Sequence, residues 1–147
     1  MLSVYIIAYS SDSRNIDFAT FVNYIETPDD VTINNVGAYN YKMIPNTSIV
    51  LNVNAGEEYL LFGNACIKPS AINETYLLVE ANSTLVTRGV LNSNVMASGW
   101  TNLTRIIKYK ATNTGSVTFS LFSGTGGSAD TRVDVLSGAS LTVIRSA

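Results

Sequence analysis

From about residue 46 onward, apolar and polar positions alternate with a period of two, the spacing of a pleated strand with one face turned inward. In "TSIVLNVN", Ile49, Leu51 and Val53 stand against Ser48, Val50 and Asn52, and Ala55-Gly56 then turns the chain. "EEYLLFGNACI" is apolar on both faces, which predicts a central rather than an edge strand. "ETYLLVEA" and "STLVTRGVL" meet at Ala81-Asn82, a connection short enough to pair them as an antiparallel hairpin. "TNLTRIIKYKA" and "SVTFSLFS" flank "TNTG", which predicts a second hairpin turning at Gly115. A Gly-rich loop, "GTGGSADTR", leads to a closing strand, "LTVIR". Before residue 46 the pattern is less regular. "MLSVYIIAY" suits a strand or an extended arm, and "TPDD" and "INNVG" mark turns. "NIDFATFVNYIE" fits a short amphipathic helix through Ile16, Phe18, Ala19, Val22 and Ile25, and two strands fit it nearly as well. Eight or more short strands separated by polar turns predict an all-β sandwich or barrel.

Composition narrows the chemistry. The 147 residues are enough for one domain with its own core, and the single Cys66, in an apolar run, is expected as a small buried thiol. Only 14% of the residues are charged, against about 25% in an average soluble domain, and the net charge is −2. No stretch gathers Lys or Arg, so the basic footprint of a nucleic-acid binder is missing. The apolar N-terminal stretch lacks a basic lead and is soon followed by Ser10, Ser11 and Asp12, which fits neither a secretory signal nor a membrane span. The sequence holds no His, the commonest general base and metal ligand, and the adjacent Glu57 and Glu58 point to opposite faces of a strand. Asp29-Asp30 lacks the spaced acidic pattern of a calcium loop, and residues 124 to 128, "GTGGS", lack the Lys and following helix of a phosphate cradle. No enzyme, cofactor or metal site is therefore expected. Sequons at Asn46, Asn73, Asn82 and Asn102 are about what chance gives in a chain this rich in Asn, Ser and Thr. Trp100, in "SGWTN", is the one large aromatic in a turn-like setting and the candidate ligand-loop residue for stacking on a sugar.

The order of the elements carries a resemblance. "SIVLNVNAGEEYLLFGNACI", then "LLVEANSTLV", then "SGWTNLTRIIKYKATNTGSVTFSLFS", a Gly-rich loop and a terminal "ASLTVIR" together resemble the tumour-necrosis-factor/C1q jelly roll, in the short form found on viral surfaces. Ala55-Gly56 and Tyr59 resemble that family's opening of the long central strand, with two residues between Gly56 and Tyr59. The resemblance spans about residues 46–147 and implies a single-domain jelly-roll β-sandwich, placed at residues 31–147, behind an N-terminal arm or docking strand at 1–30. It also implies that the closing strand lies inside a sheet and that three copies pack about an axis. The function implied is that of a structural virion protein: a homotrimeric capsid decoration or cement protein on the particle surface, partnered by the major capsid protein or another virion component. The alternative is a trimeric receptor- or glycan-binding head of a fibre or adhesin. Neither nucleic acid nor membrane is an expected partner. Alternation groups Tyr59 with Leu61, Ile107 with Tyr109, and Leu141 with Val143. These six are expected at the trimer interface, with Leu60, Phe62 and Ile144 in the sandwich core.

Overall fold

The computed structural model describes residues 5–9, 16–38, 40–71, 73–82, 84–85, 93–95 and 99–146. Among these there is no helix, and hence none long and apolar enough to cross a membrane. The strands are β1 (Tyr5–Tyr9), β2 (Ile16–Glu26), β3 (Val31–Ile33), β4 (Lys42–Val53), β5 (Glu58–Pro69), β6 (Asn73–Ala81), β7 (Thr84–Leu85), β8 (Ser93–Val95), β9 (Thr101–Lys110), β10 (Gly115–Thr125), β11 (Val133–Val135) and β12 (Ser140–Arg145). One sheet runs β1-β2-β12-β5-β11-β3, with β9 on the other side of β5; the second runs β4-β10-β6-β7, with β8 also on β6. All the pairings are antiparallel, and the two sheets stack as a jelly-roll β-sandwich.

The closing strand lies inside its sheet. β12 pairs with β2 through Ser140–Arg145 and with β5 from Ser140↔Asn64 to Arg145↔Tyr59, so both of its edges are hydrogen-bonded. β5 is central, as its two apolar faces predict, with β12 and β11 on one side and β9 on the other. The Ala81-Asn82 hairpin is also present: Asn82 takes φ 49°, and Glu80↔Leu85 and Ala81↔Thr84 pair β6 with β7. Residues 16–26, for which helix and strand were both open, form β2, and its partner decides the matter: β2 hydrogen-bonds along β12 over Thr20–Glu26. Residues 16–26 of the segment expected as an attachment arm are thus a strand of the sandwich, with Val22 and Ile25 packed against the core.

The expected hairpin at "TNTG" is not one. β9 pairs with β5 in the first sheet, whereas β10 pairs with β4 and β6 in the second, so residues 111–114 carry the chain from sheet to sheet. Residues 54–57, between β4 and β5, do the same, with Gly56 at φ 91°. The two crossings hold each other. Gly56 N–H donates to the Ala111 carbonyl (2.8 Å), Ala111 N–H to the Glu57 carbonyl (2.9 Å) and Ala55 N–H to Thr114 Oγ1 (3.0 Å). A short polar turn between two alternating runs has the same sequence pattern whether the strands pair or part.

The inward rows of both sheets make one core. Phe119 is fully buried, 5.1 Å from the Tyr109 ring at 82°, an edge-on contact favoured by the ring quadrupoles, and 6.4 Å from the tilted Tyr59 ring. Gly63 lets the sheets approach, since a Cβ there would lie 2.6 Å from Leu121 Cδ1. Alternation had grouped Tyr59, Leu61, Ile107, Tyr109, Leu141 and Val143 correctly but assigned the group to the wrong side. Five of them are buried in the core cluster, and the half-buried Tyr109 packs against it. Their strand neighbours Leu60 and Phe62, expected inside, are half-buried on the outward face, and the buried Ile144 lies outside the core cluster. A shift of one residue exchanges the two faces of a strand, and Arg105 is what disguises the parity. It interrupts the inward row Leu103, Ile107, Tyr109, and its Nε has no hydrogen-bond partner among the described residues.

Candidate functional site

The outward face of the first sheet carries an ordered apolar arrangement outside the core. Residues paired across an antiparallel sheet point to the same side, so Tyr24, Thr142, Phe62 and Ile106 form one row across β2, β12, β5 and β9. Ile144, Leu60 and Lys108 form the next. Ile106 is 65% exposed and Tyr24 46%, at the two ends of the row, on β9 and on the part of β2 that pairs with β12 alone. On one side of these rows, Thr104 Oγ1 donates to Asn64 Oδ1 (3.1 Å). On the other, Glu58 receives Lys108 at 2.6 Å and Lys110 at 3.4 Å; the Lys108 hydrogen bond is the main reason its carboxyl titrates below the ordinary carboxylate range. At the β2 end, the Tyr24 hydroxyl donates to Glu26, which raises the tyrosine pKa. An apolar centre with a polar rim is the layout of a protein–protein contact.

Trp100 lies just before β9 and is 44% exposed. Lys68 Nζ sits 5.2 Å from its ring centroid, a cation–π contact that occupies one ring face and leaves a single face for any stacked ligand. Cys66, expected to be buried, is only partly so and carries a free thiol.

Another polar cluster closes one end of the sandwich. Glu57 accepts from Asn54 N–H (2.8 Å) and Nδ2 (3.1 Å), from the Tyr59 hydroxyl (2.6 Å) and from Arg145 Nη1 (3.3 Å). The Asn54 backbone bond, then the Tyr59 bond, draw the Glu57 pKa down from 4.5 to about 2. Desolvation first, then Glu57, push Tyr59 up to about 12. A carboxylate held ionised and a phenol held protonated are both poor proton carriers near neutrality, so this cluster fastens the crossing loop. Among the described residues, no three His, Cys, Asp or Glu come together as metal ligands, and Asp30 Oδ1 is engaged by Ser137 N–H (2.7 Å).

Sequence reasoning passed over Ile106 and Tyr24 as surface residues. The signal that finds them is register: Ile106 stands opposite Phe62, Phe62 opposite Thr142, and Thr142 opposite Tyr24. That information lies in the pairing and in no single strand.

No protein-family model matches the chain, and no curated sequence is significantly similar to it. Solved structures do resemble it. The VP2 subviral particle of infectious bursal disease virus superposes with a TM-score of 0.50 at 14% identity, over 95% of this chain and 37% of the viral one. A structure of the Gx strain of infectious bursal disease virus gives 0.41 at 11% identity, over 98% of this chain and 41% of that one. The C-terminal domain of EclA, a sugar-binding protein, gives 0.45 at 17% identity, over 80% of this chain and 78% of that one. This chain thus spans well under half of either viral chain. At these identities the likeness is one of fold, an all-β sandwich.

Proposed function

We propose that this chain is a structural protein of a viral particle, that it assembles as a homotrimer through the outward face of β2, β12, β5 and β9, and that it decorates or cements the particle exterior against the major capsid protein. The observation that carries this reading is the row Tyr24, Phe62, Ile106 with Leu60 beside it, an apolar outward face whose two ends are exposed and which is rimmed by polar pairs. Exposed, ordered apolar patches of this kind mark interaction sites. The copy number of three follows from the tumour-necrosis-factor/C1q resemblance, and the low charge content suits a subunit outside a shell rather than one against packaged nucleic acid. The seam is thus the opposite side of the strands named for it from sequence.

Sedimentation at micromolar concentration tests the reading. The full chain should run as a trimer, and Ile106→Asp as a monomer with unchanged far-ultraviolet circular dichroism, because Asp enters the seam without entering the core. A monomeric parent chain, or an Ile106→Asp variant that remains trimeric, refutes the seam. The attachment role of the N-terminal segment needs a truncation that stops before β2, since β2 supports β12. The trimer should survive that truncation and bind particles more weakly.

A further inference from the structure

The second sheet presents a different outward surface. Ser48, Ser120 and Glu80 stand opposite one another across β4, β10 and β6, a polar row about two inter-strand spacings wide. Along the strands, this row is flanked on one side by Met43 and Phe122 and on the other by Thr118 and the amide of Asn82. These side chains line a cleft of about 510 Å³, within the range of about 300–1,000 Å³ usual for small-ligand sites. A bulge shapes it. The register slips between Ser120 and Phe122, and Thr47 fastens the extra residues by donating to the Ile44 carbonyl (2.6 Å) and accepting from Leu121 N–H (3.3 Å).

The polar groups of the cleft are partly committed. Ser48 and Ser120 share a hydrogen bond of 2.8 Å, and Asn82 Oδ1 accepts from Thr118 N–H at 2.8 Å. Asn82 Nδ2 has only a long contact, 3.5 Å, to the Ser116 carbonyl, so it retains donor capacity. Glu80 makes no hydrogen bond or ion pair with any described residue, and partial burial raises its pKa. Among the described residues, no Lys or Arg lines the cleft. A ligand that pairs with Glu80 must bring a donor, and it must also accept from an amide or hydroxyl and lay an apolar patch on Phe122 and Met43. An anion would meet Glu80 with no cation to offset it. A hard divalent cation, which takes six to eight oxygens, would find one carboxylate.

We propose that this cleft binds a neutral saccharide, with Glu80 accepting from ring hydroxyls, Asn82 and the Ser48–Ser120 pair completing the polar contacts, and Phe122 with Met43 receiving the apolar face of the ring. A pyranose has that division into a C–H face and a hydroxyl edge. The site lies on the sheet opposite the proposed seam, goes beyond the assembly reading, and stands or falls without it.

Saturation-transfer NMR on the full chain tests it with a panel of glucose, galactose, mannose, N-acetylglucosamine and N-acetylgalactosamine, together with sialic acid, calcium chloride and ethylammonium. At least one neutral sugar should receive saturation at millimolar concentration. Glu80→Gln, which keeps the shape, should weaken that binding about tenfold or more, the usual scale for a hydrogen bond to a charged group. Ser48→Ala should weaken it less, and Trp100→Ala should leave it unchanged. Titration shifts of backbone amides locate the site separately and should fall on β4, β6 and β10. No transfer from any neutral sugar, binding that Glu80→Gln leaves intact, shifts confined to the Trp100 region, or preference for sialic acid, calcium or ethylammonium each overturns the proposal.

Discussion

Ile106 and Ile107 are neighbours in β9 with opposite environments, 65% and 4% exposed, so the same substitution at each reads the two faces directly. Ile107→Ala removes buried methyl groups from the core beside Leu61, its partner across β5. Such truncations cost about 2–5 kcal/mol, because lost transfer energy and an incompletely collapsed cavity add. With a urea slope of about 1–3 kcal/mol per molar for a small domain, a loss of about 3 kcal/mol lowers the midpoint by roughly 1–3 M. In an isolated subunit, Ile106→Ala removes atoms that water already reaches and should stay within about 0.5 kcal/mol. In a trimer sealed by that face, unfolding is coupled to dissociation and depends on protein concentration. Urea titrations followed by circular dichroism at two protein concentrations separate the cases. Ile107→Ala should shift the midpoint at both concentrations, and Ile106→Ala only at the higher one. Equal and concentration-independent costs at the two positions would refute the face assignment, and a negligible cost at Ile107 would refute the core.

Three further outcomes follow from local geometry. Glu57 titrates near 2 in the folded chain against an ordinary 4.5, so the unfolded state binds more protons in between; its contribution is complete above about pH 4.5 and is lost as the pH falls toward 2. Denaturation across that window should show a shallower acid slope in Glu57→Gln than in the parent chain, and identical slopes would contradict the hydrogen-bond cluster. Gly37→Ala would place a Cβ 1.6 Å from the Ser128 carbonyl oxygen, so the loop backbone must move; a cost of about 1–3 kcal/mol should appear as a lower melting temperature, whereas an unchanged one would show that the loops are not in that contact. Thr47→Val keeps the shape but leaves the buried Leu121 N–H without its hydroxyl acceptor, for an expected loss of about 1–3 kcal/mol by chemical denaturation, and a neutral result would mean that the bulge holds itself.

What was legible in the sequence was local. The period-two runs of β4, β5, β9, β10 and β12 are written in their own residues, and the two apolar faces of β5 announce its central place. That β12 lies inside a sheet came from the resemblance rather than from any residue in the strand, whereas β2 as one of its neighbours did not. What was hidden depended on other parts of the chain. Residues 16–26 carry a pattern compatible with helix or strand, and hydrogen bonds to β12, more than a hundred residues away, settle it. Whether "TNTG" closes a hairpin or crosses between sheets depends on the loop at 54–57 that braces it. The side to which a row points depends on parity, which Arg105 disguises within β9. The seam row is invisible for the same reason, since it exists only once four strands are in register. Trp100 was conspicuous in the sequence as a lone aromatic, yet its contact with Lys68 arises from pairing alone.

On the two proposals, the sheets divide the work, because their outward faces solve different problems. The β2, β12, β5, β9 face has apolar rows, which suit a broad contact with a surface of similar shape. The β4, β10, β6 face has a cleft whose carboxylate is unpaired among the described residues, too polar for a dry subunit contact and sized for a small molecule. In a sandwich these faces point in opposite directions, so a threefold seam on the first turns the second away from the axis in every copy. Three clefts would then face outward from one trimer. Weak binding of single sugars would become firm attachment to a sugar-coated surface through the effective concentration that linkage provides. The structural and recognition readings of this chain, rivals at the level of sequence, thus occupy different faces of the same fold, and each predicts damage from substitutions that leave the other intact.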